Sequence, residues 1–146
     1  MLPVRVCERY SFLMARRRHL SRIAVMQSLF EKEKRPNTDL FVSLKMNGKE
    51  FGEMDEIFAV ELLQGVLSKQ EDLQNAVAEH APEWPLDRMD PISRSILFIG
   101  AYELLYAKDA PEAVVMNEAI EIAKEYGTKE SSKFVNGVLN AIAHRK

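Results

Sequence analysis

Apolar residues recur at helical spacing through most of the chain and almost nowhere alternate. Leu20, Ile23, Met26 and Phe30, with Val25 and Leu29 beside them, mark a first helix from about Arg17 to Lys34, stopped by Pro36 and Asn37. Thr38 or Asn37 can cap a short second helix, Asp39 to Met46, that ends at Asn47-Gly48. A polar loop with two glycines follows, to Glu53. Asp55-Glu56 then place acids at the positive end of a third helix. Its apolar positions are Ile57, Phe58, Val60, Leu62, Leu63, Val66 and Leu67. The pattern weakens at Ser68-Lys69 and resumes at Leu73, Ala76 and Val77, which reads as a break and a fourth helix to about His80, closed by Pro82 and Pro85.

Asp90-Pro91 is an N-cap followed by proline at the first helical position. The helix it opens, to Tyr106 or Ala107, is apolar nearly all round, through Ile92, Ile96, Leu97, Phe98, Ile99, Ala101, Leu104 and Leu105. Such a helix belongs at the centre of a core. Asp109-Ala110-Pro111 repeats the start signal for a helix that reaches Tyr126 and stops at Gly127, a C′ glycine. Thr128 can cap the last helix, which runs to about Ala143. Asn136-Gly137 between two valines imitates a hairpin turn, but Phe134, Val138, Leu139 and Ile142 keep a helical period. No segment reads as a strand and no repeat is visible. The predicted class is all-α, about seven helices in a compact bundle.

Composition narrows the choice. The 146 residues make one ordinary domain, and 47% apolar with 29% charged residues excludes a disordered tail. No run approaches the roughly 18–20 uninterrupted apolar residues of a spanning helix. The single cysteine, Cys7, excludes an internal disulfide and a Cys-based zinc site, and fits a reducing cytoplasm. Residues 1–13 scatter Arg5, Glu8 and Arg9 and lack the apolar stretch of a signal peptide. They read as an upstream in-frame extension or a disordered segment. Met14 is then the natural start, and 14–146 a single helical domain.

The net charge of −2 hides an asymmetry. Residues 1–38 carry nine Arg or Lys against three Glu, residues 39–125 seven basic against eighteen acidic groups, and residues 126–146 four against one. The ends are thus +6 and +3, and the middle −11. If the ends meet in space, a nearly neutral protein carries a cationic face.

His19, His80 and His144 make no paired-ligand spacing, and neither a phosphate loop nor a nucleophile elbow is present. The acidic middle helices read as solvated faces. No catalytic residue, metal site or cofactor is therefore expected, and the protein does not read as an enzyme. The informative cluster is Arg16-Arg17-Arg18-His19 with Arg22, where Arg18 and Arg22 share a helix face. Guanidinium groups fork onto phosphates and stack on bases; a merely solubilising basic start is the plain alternative. Gln27 and Phe30 on the same helix offer an amide for base edges and a ring for stacking. Lys129, Lys133 and Phe134 form a second basic segment, although Phe134 also begins an apolar stripe and a core role is its plainer reading.

The segment RRRHLSRIAVMQSLF resembles the Arg-rich first helix of the NusB family of bacterial transcription antitermination factors. ILFIGAYELLY resembles that family's central buried helix, and PEAVVMNEAIEIAKEYG and SSKFVNGVLNAI its last two, with NEAIEIAK and KFVNGVL intact. The resemblance spans about Ala15 to Ala143. It implies the NusB-like fold, seven helices in two packed small bundles, in a cytoplasmic, free-standing RNA-binding domain. It further implies binding of the single-stranded boxA RNA of ribosomal transcripts together with ribosomal protein NusE. RNA polymerase and other Nus factors would be joined indirectly, and a homodimer, which some members form, is left open. The family's RNA contacts fall on Arg16, Arg17, Arg18, Arg22, Gln27, Phe30, Glu130, Ser132, Lys133 and Phe134. Many members carry tyrosine at the position of Phe30; here the hydroxyl is absent.

The basic first helix and the Thr128–Phe134 turn are expected to form one RNA surface. With roughly four phosphate contacts, log K should fall against log salt with a slope near −3. The acidic middle, Asp55 to Tyr106, is the expected docking side for NusE. Two rivals remain. One is the NusB-like domain fused to ribosomal RNA cytosine methyltransferases; the chain ends at Lys146 without room for the catalytic domain, so a free-standing factor is expected. The other is a structural helical module with solubilising arginines.

Overall fold

The computed structural model of the protein describes the backbone of residues 4–144 and the side chains of residues 12–50 and 52–144. Among the described residues there are seven α-helices and no strand. They are α1 (Val4–Lys34), α2 (Leu40–Phe51), α3 (Glu56–Ser68), α4 (Gln70–His80), α5 (Pro91–Tyr102), α6 (Glu112–Tyr126) and α7 (Lys129–Ala143). A 3-10 turn, Leu86–Arg88, precedes α5, and a π-helical turn, Glu103–Ala107, follows it. The Asn136-Gly137 pair lies inside α7.

Most boundaries follow from their caps. Asp55 Oδ1 accepts from Phe58 N at 3.1 Å at the start of α3, Asp90 Oδ1 from Ser93 N at 2.9 Å in α5, and Thr128 Oγ1 from Ser131 N at 3.1 Å in α7. Lys69 separates α3 from α4 where the apolar pattern weakens.

Five features of the boundaries differ from expectation. Helix α1 begins at Val4 rather than Arg17. Apolar periodicity marks only the stretch that is buried, from Leu20 onward, whereas no Gly or Pro between Val4 and Arg17 interrupts the backbone. Residues 1–3 of the expected extension lie outside the described residues. Helix α2 is capped by Asp39, whose Oδ1 accepts from Phe41 N at 3.0 Å and Val42 N at 3.3 Å, and not by Thr38 or Asn37. It runs through Asn47-Gly48 because Asn47 Nδ2 donates to Ser28 Oγ at 3.2 Å and Ser43 Oγ at 3.3 Å, while Gly48 packs against the Met54 side chain. The stop comes at Gly52, whose φ of 73° suits glycine.

Helix α6 starts behind Pro111 with no side-chain cap, so Asp109 does not take that role. Gly127 ends α6 without the left-handed geometry of a C′ glycine: its φ is −116°. Space is the reason for glycine there, since a Cβ would meet the Ala123 carbonyl oxygen at 2.9 Å and Ser131 Cβ at 3.0 Å.

The chain divides into two compact units, Met1–Leu62 and Leu63–Lys146. In the first, α1 packs along α2. A polar network joins them: Ser43 Oγ donates to the Glu31 carboxylate, and Asn47 bridges to Ser28. In the second, α5 touches α4, α6 and α7. Ile96, Leu97, Ile99 and Ala101 are buried, as its all-round apolarity predicted, and Gly100 lets Leu139 of α7 approach the helix backbone. The π-helical turn closes at Lys108, with φ 53°.

Candidate nucleic-acid interface

The arginine cluster of the first unit lies on one long helix, yet its members have different surroundings. Ser21, fully buried, donates from Oγ to Asp55 O at 2.8 Å and stands 3.0 Å from Arg17 O, and Asp55 N donates to Arg17 O at 3.4 Å. These bonds clamp the start of α3 onto one turn of α1. The clamp presents Phe58 to the face shared by Arg18 and Arg22. The Arg18 guanidinium sits 4.7 Å from the Phe58 ring centroid and that of Arg22 4.9 Å. Both distances are within cation–π range. Arg18 Nε also lies 3.9 Å from Asp55 Oδ2, an ion pair too long for a hydrogen bond.

Arg22, expected at the RNA surface, is 3% exposed. A guanidinium this deeply placed packs the unit, and its methylene stem and charge are consumed inside it. Arg16 and Arg17 remain exposed; Arg17 Nε donates to Glu53 O at 3.3 Å. Arg18 is intermediate, with its side chain 37% exposed.

Farther along α1, Gln27 is half-buried, and its Oε1 is closed to solvent without a hydrogen-bond partner among the described residues. That oxygen is therefore not presented to a base edge. Phe30 is half-buried, and Lys34 Nζ lies 5.6 Å from its ring centroid. One turn thus supplies a ring and a cation together.

In the second unit the Thr128–Phe134 turn presents Glu130 and Lys133 to solvent. Ser132 is only 6% exposed and donates from Oγ to Lys129 O at 2.8 Å. In this position it fastens the first turn of α7. Phe134 is half-buried and meets Trp84 edge-on, with centroids 6.3 Å apart and ring planes at 67°. The two rings border a cavity of about 600 Å³ that Arg88, Asp90, Ser93 and Glu130 also line.

Phe58, Trp84, Arg88 and Ser93 were not among the sequence candidates. Phe58 follows the apolar period of α3 and reads as ordinary core. Trp84 carried a usable signal: it is the one tryptophan of the chain, set between Pro82 and Pro85 in a segment with no helical period.

A family model described as the NusB family matches residues 18–144. The chain belongs to the NusB family. Arg16 and Arg17 lie just before the matched span; the other eight candidate residues lie within it. The transcription antitermination protein NusB of Lysinibacillus sphaericus (strain C3-41) is 37% identical over 130 residues, which cover 89% of this chain and 99% of that one. The protein of the same name from Bacillus subtilis (strain 168) is 38% identical over 126 residues, covering 86% and 94%. The structure of T. maritima NusB superposes with a TM-score of 0.78 at 36% identity, covering 86% of this chain and 89% of that one. A complex of the antitermination factors NusB and NusE with double-stranded RNA has the same fold, with a TM-score of 0.78 at 24% identity over 88% and 96% of the two chains. The NusB fold is thus the expected all-α fold of seven helices. Among the described residues no helix is long and apolar enough to cross a membrane.

Proposed function

We propose that this chain is a transcription antitermination factor. It binds boxA-type single-stranded RNA of ribosomal transcripts together with ribosomal protein NusE and helps assemble an RNA polymerase antitermination complex in the cytoplasm. Other Nus factors enter through that assembly. The observation that carries the reading is the NusB family match across both units, with relatives that bear the antitermination name along nearly their whole length.

The side chains refine which groups do the binding. Arg16, Arg17 and Lys133 are exposed cations placed to neutralise phosphates, and Arg18 shares its charge between Asp55 and the strand. Phe30 with Lys34, and Phe134 with Trp84, offer rings to unstacked bases. Glu130 supplies an acceptor for base amino groups. Arg22 and Ser132 hold the fold beneath these contacts, and Gln27 can offer only the outer side of its amide. NusE, as a basic partner, is steered by exposed carboxylates such as Glu71, Asp72 and Glu79 of α4.

The test is fluorescence anisotropy of a labelled boxA RNA with the protein alone and with NusE, across a salt series. Binding that tightens with NusE is expected. With three phosphate contacts instead of four, the log–log salt slope should lie near −2, at about −0.7 per contact. No binding under either condition would favour the structural-module reading.

A further inference from the structure

Helix α1 carries about three turns ahead of Arg16, and the family model begins only at residue 18. Positions 5, 9, 12 and 16 follow one another at steps of four, three and four residues, so Arg5, Arg9, Phe12 and Arg16 fall on one face of that helix. Residues 4–18 hold five arginines and one carboxylate, Glu8. Phe12 is 70% exposed, and Arg16 is exposed. The same steps lead on from Arg16 through His19 to Ile23, which is 2% exposed. The stripe is thus buried at its far end and open at Phe12 and Arg16.

The first unit holds a different side of the helix. Leu13, Met14 and Arg17 line a hollow with Gly52, Glu53 and Met54 of the connection between α2 and α3, and Arg17 Nε donates to Glu53 O. Those three α1 positions lie about a third of a turn round from the face of Phe12 and Arg16. An exposed ring in line with arginine positions has the chemistry of a single-strand site, with cations for successive phosphates and a π-face for one base. A lipid surface takes an amphipathic helix by an apolar side opposite its cations. Here the ring stands in the line of the cations, and Leu13 and Met14 border the hollow. The face also joins Arg16, already a phosphate contact of the function proposed above, and extends from it by about 16 Å along the helix axis.

We propose that the α1 face formed by Arg5, Arg9, Phe12 and Arg16 binds single-stranded RNA that continues beyond the boxA element, with Arg5 and Arg9 on successive phosphates and Phe12 against one base. The proposal rests on the RNA-binding function above and adds to it Arg5, Arg9 and Phe12, which lie outside the span matched by the family model. With three phosphate contacts on the element and two more beyond it, the log–log salt slope should steepen from near −2 to near −3.5 once the RNA is long enough, at about −0.7 per contact. Phosphate and stacking contacts read no base edge, so the sequence of the flanking nucleotides should matter little.

The full chain is titrated by fluorescence anisotropy with two labelled single-stranded RNAs, the boxA element alone and the same element with unstructured flanks on both sides. The flanked RNA is expected to bind the tighter of the two, with the steeper salt slope. The double variant Arg5→Ala, Arg9→Ala keeps good helix formers at both positions. It should bind the element alone as the wild type does, lose the preference for the flanked RNA and return its slope to near −2. Arg5→Lys, Arg9→Lys should retain the preference, because a phosphate accepts either cation. Phe12→Ala should weaken binding of the flanked RNA alone, by roughly 5- to 150-fold. Equal affinity of the wild type for both RNAs, a preference that survives Arg5→Ala, Arg9→Ala, or an unaltered affinity in Phe12→Ala overturns the proposal and leaves the RNA-binding function standing. So does an unchanged RNA preference in a double variant that no longer sediments with phosphatidylglycerol vesicles, which assigns the face to a lipid surface. Absence of any anisotropy change overturns both.

Discussion

The two units treat their polar groups in opposite ways. In the first, part of the densest run of positive charge is folded into the protein: Phe58 carries Arg18 and Arg22, Ser21 ties the Arg17 backbone to Asp55, and Arg16 and Arg17 stay exposed. In the second, a turn with two exposed lysines and one glutamate borders a hollow with two aromatic rings and, at its floor, a hydroxyl without a partner among the described residues. Charge density and binding capacity therefore part company. A guanidinium can be a packing element as readily as a phosphate contact, and what decides is whether a ring or carboxylate on a neighbouring helix reaches it first.

The strongest way to break this contrast is Arg22→Ala. As a packing residue, Arg22 should cost about 1.5–3 kcal/mol of folding stability when removed, measured by urea unfolding. The protein that remains folded should show an unchanged salt slope for RNA. A stable variant with weakened RNA binding would return Arg22 to the interface. Phe134→Ala is the counterpart in the second unit: RNA affinity should fall by about 1–3 kcal/mol if the ring stacks on a base. Calorimetry alongside the binding assay separates this from a core role, which would lower the melting temperature with little change in the affinity of the folded fraction.

Smaller effects sharpen the picture. Ser21→Ala removes the hydroxyl that binds the Asp55 carbonyl and should destabilise the first unit by about 1 kcal/mol. The double variant Arg16→Ala, Arg17→Ala should leave unfolding unchanged and make the salt slope shallower by about 1.4, at 0.7 per lost phosphate contact. Gly137→Ala is the mildest test. A Cβ at Gly137 meets nothing within 4 Å, so the substitution should stabilise α7 by about 0.5–1 kcal/mol in thermal unfolding.

Much of the fold was legible because the helices of the second unit are amphipathic and carry their own start signals. Asp90-Pro91 and Thr128 cap where the sequence places them, and the all-round apolar helix lies among three others. The misreadings share one cause, which is that a local signal was outweighed by a distant contact or by the lack of one. Asn47-Gly48 looks like a stop, but Ser28 and Met54 hold it helical. Gly127 looks like a left-handed cap, but Ser131 and the Ala123 carbonyl require only its small size. The start of α1 at Val4 carries no signal in the sequence, because apolar periodicity begins only with the buried stretch from Leu20.

The sequence by itself determined the class, the number of helices, the caps of α5 and α7, and the family, because each depends on spacing along the chain and on residues within a turn of one another. It also determined which residues could be cationic or aromatic. Only the tertiary structure decided which of them face solvent. Arg22 and Ser132 look as available as Arg16 and Lys133 in one dimension, and packing sets them apart. The same holds for the hollow at Trp84. Its floor hydroxyl is buried with no partner among the described residues, an outcome of packing in three dimensions that linear spacing does not encode.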